Sequence, residues 1–426
     1  MNILIITFGS TGDVQPYVAL GKGLKAAGHE VTLCTAEQFE PLITEHGLNY
    51  GYMTGELLKL IDSDAGREAL EETVGVFGSL KTMAKLARQT NPLNRQMILD
   101  SWAAAQQVKP HVVIYHPKAL GGLSIAEAFN AQPFMALLQP MIVPTADFPT
   151  PGVPELPLGG RYNRMSYKAV AMGMDMYAGM VSKIRQEEMG LDKFPRGTGL
   201  YKTAVGEPVP VLHAFSAHVV PRPADWPPQA VIPGYWFLDS EEEWQPPAEL
   251  EAFLAAGDPP IYIGFGSMAG RDPAFLTGIV TDAVQLAGLR AVLATGWGGL
   301  QAHDLPPTIF KLESAPHAWL FTRMSAVVHH GGAGTTAAGL RGARPSVICP
   351  FMGDQPFWGS RVHALGAGPE PIPQKKLTAE NLATAMRKAV NDPQMRAQAE
   401  IIAEGIRSED GVANAIAIVN KKVANR

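Results

Sequence analysis

The chain opens the same structural sentence twice. Residues 2–8 form an apolar run closed by Gly9-Ser10-Thr11-Gly12-Asp13 and followed by a helical pattern; residues 260–265 form another, closed by Gly266-Ser267-Met268 and followed by a second helical pattern. A strand that ends in a glycine turn and feeds a helix is the head of a β-α-β unit, which requires parallel strands with the helix packed on the sheet. Two such heads predict a duplicated α/β architecture, each half a parallel, Rossmann-like sheet. The 426 residues exceed one comfortable core, in keeping with two domains of about 200 residues each.

In the first head a helix is expected from Pro16, which suits a first turn, to about residue 27. The G-S-T-G-D turn lacks the full dinucleotide fingerprint, so a nicotinamide dehydrogenase is a poor reading. Asp13 lies at the carboxyl end of the first strand. Two roles fit it: a general base whose pKa is raised by partial burial, or a helix N-cap.

Residues 327–355 are the most informative stretch: V-V-H-H-G-G-A-G-T-T-A-A-G-L-R-G-A-R-P-S-V-I-C-P-F-M-G-D-Q. They read as strand, glycine turn, helix, strand and an acid-amide tip. Gly331, Gly332 and Gly334 allow a sharp bend that exposes successive N–H groups at a helix N-terminus, a seat for phosphate. His330 stands beside it as a donor, and Asp354 with Gln355, at the carboxyl end of the next strand, suit sugar hydroxyls. A tight strand-to-helix connection holding no ligand is the competing reading.

Composition removes several classes. A net charge of −5 gives no polyanion signal, so nucleic-acid binding is not expected. A hydrophobic fraction of 46% with 18% charged residues is that of a globular enzyme. The two cysteines, Cys34 and Cys349, fall one per expected domain in apolar runs, which fits a reducing cytoplasm and no mutual disulfide. No signal peptide and no apolar stretch of spanning length is read, leaving surface contact with a membrane open.

Between the motifs, residues 56–107 read as helical, with Gly75, Gly78 and Asn91-Pro92 as breaks. Asp62-Ser63-Asp64 has D-x-D spacing, but a solvated helix end accounts for it, and no metal site is expected. Residues 112–115 are a strand ending at His116, which either assists Asp13 or makes a local hydrogen bond. Six prolines between Pro140 and Pro157 require an ordered loop. Residues 165–189 are a methionine-rich helical pattern, read either as core packing or as a deformable apolar wall. Helices are further expected over 357–366, over 377–390 with Thr378 as cap, and through most of 395–425.

The run P-H-x-W-L-F…H-H-G-G-A-G-T-T-A-A-G-L-R…P-F…G-D-Q-x-F-W-G, matched from Pro316 to Gly359, resembles the donor signature of nucleotide-sugar-dependent glycosyltransferases of the GT-B fold, and within them the sterol 3-beta-glucosyltransferase branch. The resemblance implies two facing Rossmann-like domains with a cleft between: an acceptor-binding domain over 1–238, a nucleotide-sugar-binding domain over 239–405, and a helix over 406–426 crossing back. It implies that Ser10, Thr11 and Gly12 face the cleft beside the catalytic Asp13, with His116 assisting. It further implies that Ser267, Trp297, His317, His330, Gly332, Gly334, Thr335, Asp354 and Gln355 bind the donor, His317 through its main chain; Ser267 also reads as a helix cap. Plant relatives carry tryptophan and glutamine where Ser314 and His317 stand, and a ribose-binding glutamate at Ala338, so the nucleotide is less fixed than the fold. The implied activity is metal-independent, inverting transfer of glucose from UDP-glucose, the donor substrate, with no cofactor, to a hydroxyl of a hydrophobic small molecule in the cytoplasm. A thymidine-diphosphate deoxysugar transferase acting on a polyketide or glycopeptide is the alternative, and a non-catalytic sugar-nucleotide or lipid binder a third reading.

Overall fold

A computed structural model describes residues 1–62, 80–194, 207–239, 244–266, 273–295 and 305–425. The chain divides into two compact units, one of Met1–Ala217, Pro221–Leu238 and Asp410–Arg426, the other of His218–Val220 and Asp239–Glu409.

The first unit holds β1 (Asn2–Ile6), β2 (Glu30–Ala36), β3 (Asn49–Met53), β4 (Val112–Tyr115), β5 (Gln132–Leu137), β6 (Val211–His213) and β7 (Ala230–Val231). They form a seven-stranded parallel sheet in the order β3-β2-β1-β4-β5-β6-β7. Ile3, Leu4, Ile5 and Ile6 are wholly buried, as expected of a strand covered on both faces. The winding direction reverses between β1 and β4, the switch point at which doubly wound sheets bind ligands beyond the strand ends. Ile6 pairs with Tyr115, so the turns after these strands are neighbours.

The second unit repeats the plan with β8 (Ile261–Gly264), β9 (Ala291–Ala294), β10 (Ile309–Leu312), β11 (Val327–His329) and β12 (Ser346–Ile348). Their order is β10-β9-β8-β11-β12, all parallel, with the reversal between β8 and β11. His329 pairs with Gly264, which brings the turn after β11 beside Gly266.

Several elements differ from expectation. The first helix is Thr11–Ala26, with Pro16 inside it rather than in its first turn. Ser10 and Asp13 form a capping box that starts the helix earlier, satisfying its free N–H groups better than a bare proline start would. Asn91-Pro92 breaks nothing: the helix Leu80–Val108 runs through Pro92, and the turns beyond it bury Met97, Ile98, Ala104 and Ala105. Tertiary packing there outweighs the lost backbone bond. Gly75 and Gly78, and the second half of Asp62-Ser63-Asp64, lie outside the described residues; Asp62 ends the helix Glu56–Asp62.

The proline-rich segment is an ordered loop tied by Asp225, which accepts from Thr145 Oγ1 at 2.7 Å, Ala146 N at 2.9 Å and Arg164 Nη2 at 2.7 Å. The methionines divide between the two readings. Met174, Met180 and Met189 pack beside Val181 and Ile184, whereas Met165 and Met172 are 65% and 70% exposed. Thr378 caps the helix Ala379–Asn391 as expected. The last helix, Gly411–Ala424, packs against Thr11–Ala26; a Cβ on Gly23 would come within 2.3 Å of Val412 Cγ1, so that contact needs glycine. Among the described residues no helix is long and apolar enough to cross a membrane.

Candidate active site

In the first unit the turn after β1 is shaped around one carboxylate. Gly9 has φ +145, and a Cβ there would lie 2.1 Å from Asp13 Oδ2, so the position requires glycine on both counts. Asp13 Oδ2 accepts from Ser10 N at 2.8 Å and Ser10 Oγ at 3.1 Å. The other oxygen, Oδ1, accepts from Lys118 Nζ at 3.1 Å. Asp13 is therefore the third-position acid of the capping box rather than the N-cap, and it uses a separate oxygen for each partner.

The expectation that burial raises the Asp13 pKa is overturned. Burial does push it up, but the Lys118 ammonium, His116 and the Ser10 N–H together hold it below the usual carboxylate value. His116 is itself pushed down to about 3 by burial and by Lys118, so it is neutral near pH 7, and the charge acting on Asp13 is that of Lys118. His116 Nδ1 accepts from Lys118 N at 3.1 Å, which assigns the ring hydrogen to Nε2. That nitrogen is buried with no hydrogen-bond partner among the described residues.

In the second unit the turn after β11 is held by its own histidine. Gly331, at φ +91, donates its N–H to His329 Nδ1 at 3.0 Å. Gly332 is the N-cap of the helix Ala333–Arg341, and Thr336 Oγ1 donates to its carbonyl at 2.9 Å. A Cβ on Gly332 would lie 2.6 Å from His330 Nε2, which puts the imidazole against the helix N-terminus. Burial and His317 push His330 down to about 4, so it is a neutral ring near pH 7. Its buried Nδ1 has no partner among the described residues. An anion here would meet helix N–H groups, the positive end of the dipole and a neutral imidazole.

Asp354 and Gln355 start the helix Gln355–Ala364. Asp354 Oδ2 accepts from Trp358 Nε1 at 2.8 Å, and the nearly buried Gln355 turns its Oε1 to the N–H groups of Phe351 at 2.7 Å and Met352 at 3.1 Å. What Gln355 can offer a ligand is thus its NH2, not its carbonyl. His317 opens the short helix His317–Phe321 and stacks on Phe321 with ring centroids 4.4 Å apart.

The structure brings Ser10, Thr11, Gly12, Asp13 and His116 together at the carboxyl ends of β1 and β4. It gathers His330, Gly332, Gly334, Thr335, Asp354 and Gln355 at those of β11 and β12, with His317 after β10. Ser267 and Trp297 lie outside the described residues. Lys118 was missed; the only hint was a basic residue just past a strand end, and its meaning depends on the pairing of β4 with β1.

Two family models match the chain. Residues 3–140 match the glycosyltransferase family 28 N-terminal domain, and residues 296–419 match the erythromycin biosynthesis protein CIII-like C-terminal domain. Across 98% of its length the chain is 38% identical to a sterol 3-beta-glucosyltransferase of Emericella nidulans and 36% to one of Arabidopsis thaliana. This chain belongs to the GT-B glycosyltransferases. It spans 29% of the length of the Emericella protein and 64% of the Arabidopsis one. Among solved structures, this glycosyltransferase is similar in fold to that of kitacinnamycin, with a TM-score of 0.71, 19% identity and 98% of each chain covered. It is equally similar to VinC, solved with dTDP, at a TM-score of 0.70, 18% identity and full coverage of both.

Proposed function

We propose that this glycosyltransferase moves glucose from UDP-glucose to the hydroxyl of a sterol-like, hydrophobic small molecule, with inversion at the anomeric carbon. The observation that carries this reading is the 38% identity, over 98% of the chain, to a protein named for glucosyl transfer to the sterol 3-hydroxyl. The residues supply the roles. Asp13 takes the proton of the acceptor hydroxyl, whose oxygen attacks the anomeric carbon while the bond to the diphosphate breaks. The negative charge developing on the leaving diphosphate is met by the N–H groups of the turn at Gly332 and Gly334 and by His330. Asp354 and the amide of Gln355 hold the sugar hydroxyls, and Thr335 and His317 border the nucleotide. These donors suffice in kind for a transfer without a metal ion, which a chelator tests.

The match to an erythromycin-biosynthesis type of C-terminal domain supports a second reading, transfer of a deoxysugar from a thymidine-diphosphate donor to a polyketide-like acceptor. One screen separates the two. Uridine- and thymidine-diphosphate sugars are crossed with sterols, triterpenoids, polyphenols and macrolides, and products are read by mass spectrometry. Hexosylated sterol formed from UDP-glucose supports the first reading; products from thymidine-diphosphate deoxysugars alone overturn it.

A further inference from the structure

The side chain of Lys118 has a task that follows from how the Asp13 oxygens are occupied. Oδ2 already accepts from both the N–H and the Oγ of Ser10, at 2.8 and 3.1 Å. A carboxylate oxygen offers about two good acceptor directions, so Oδ2 is filled by the capping box. Oδ1 accepts only from Lys118 Nζ, at 3.1 Å, among the described residues. The remaining lone pair of Oδ1 is the one place on this carboxylate where a substrate hydroxyl can bind. The Lys118 side chain is 47% exposed and that of Asp13 is 18% exposed, so solvent and substrate reach the pair. Lys118 also lines a small cavity of mixed polarity with Met53, Asn94, Met97, Ile98, Ser101 and Leu120. No other charged side chain lines that cavity among the described residues.

We propose that Lys118 is a positioning residue for Asp13: its ammonium group fixes Oδ1, directs the acceptor hydroxyl to the free lone pair of that oxygen, and serves as the counter-charge of the base. The inference rests on the reading of Asp13 as the base. In the step it serves, the acceptor O–H bond breaks as the oxygen bonds to the anomeric carbon. The proton goes to Oδ1, and the diphosphate leaves with the electron pair of its bond to the sugar. The Lys118 ammonium favours return of the proton from Oδ1 to water before the next turnover. His116 serves the same geometry from behind, since its Nδ1 holds the backbone N–H of Lys118 at 3.1 Å. The lowered Asp13 pKa agrees with this arrangement: burial raises it, and Lys118, the largest of the opposing influences, acts with His116 and the Ser10 N–H to hold it down.

The test is the acid limb of kcat/KM, which reports the free enzyme's base. With Lys118 in place the base stays ionised to low pH, so the rate should hold as pH falls toward the acid limit of folding. Lys118→Met removes the counter-charge and leaves burial opposed by the Ser10 hydrogen bonds, so the limb should move up by about one pH unit or more. Lys118→Arg should restore the limb, because it keeps a charged donor at the site. Lys118→Gln, a milder change, should move the limb in the same direction as methionine, and melting curves identify any variant that is misfolded. An unmoved limb in folded Lys118→Met and Lys118→Gln, with Asp13→Asn inactive, overturns the role of Lys118 and leaves the base intact. Near-normal turnover in Asp13→Asn overturns both.

Discussion

An oxygen that already accepts two hydrogen bonds from Ser10 has little left with which to take a proton, and Asp13 answers this by leaving Oδ1 with a single partner, Lys118 Nζ, among the described residues. Asp13→Asn preserves size and an acceptor oxygen for Ser10 while removing the base. Turnover should fall about 10²–10⁴-fold with nucleoside-diphosphate affinity nearly unchanged. Rapid-quench or product assays beside calorimetry check both, and near-normal turnover would leave the aspartate a cap alone. His330→Ala should weaken binding of free nucleoside diphosphate. Gln355→Ala and Asp354→Ala should cost sugar transfer by about 0.5–1.5 kcal/mol each and leave free diphosphate binding largely intact. If all three variants lost diphosphate affinity alike, the division into phosphate and sugar ends would be wrong. At this scale the sequence was readable where the chemistry is local: an acid after a glycine turn, or glycines before a helix. It was unreadable where a partner comes from elsewhere. The direction of the Asp13 pKa was misjudged because burial was weighed without Lys118, and Lys118 becomes a neighbour only once Ile6 pairs with Tyr115.

Among the elements, the two glycine turns govern everything that follows them. Gly9→Ala must force a side chain into a left-handed region and against the Asp13 carboxylate, 2.1 Å from its ideal Cβ position. Activity should fall about as far as in Asp13→Asn, a loss checked by assay alongside a melting curve. Gly331→Ala faces φ +91 and Ile348 Cγ2 at 2.7 Å, and should destabilise the second unit by about 1–3 kcal/mol in denaturant titration. Unchanged stability there would mean that the turn relaxes freely and is no fixed cradle. These turns, the strands leading into them and the Thr378 cap could be read from the chain because periodicity and punctuation agree. The strands β3 and β5 could not. β3 is the mixed N-Y-G-Y-M, half of it turned to solvent, and β5 carries Pro133 opposite Val113, where a proline normally argues against a paired strand. The start of the first helix was misplaced for a related reason, since Pro16 gave a plainer signal than the Ser10–Asp13 box.

For the whole molecule, the duplicated heads in the sequence correspond to two parallel sheets that each reverse their winding beside the first strand, and each glycine turn lies at such a reversal. The first unit carries an ionised, anchored carboxylate; the second carries a helix N-terminus with a neutral histidine against it. The central claim is that these groups serve inverting glucosyl transfer to a hydrophobic alcohol. The most direct measurement is the anomeric proton coupling of the product, by NMR, after the purified protein is incubated with UDP-glucose and a 3-hydroxysterol in the presence of a chelator. The account predicts a β-linked steryl glucoside, formed with release of UDP, from the α-linked donor. An α-linked product, or hydrolysis of UDP-glucose with no steryl glucoside, would contradict it.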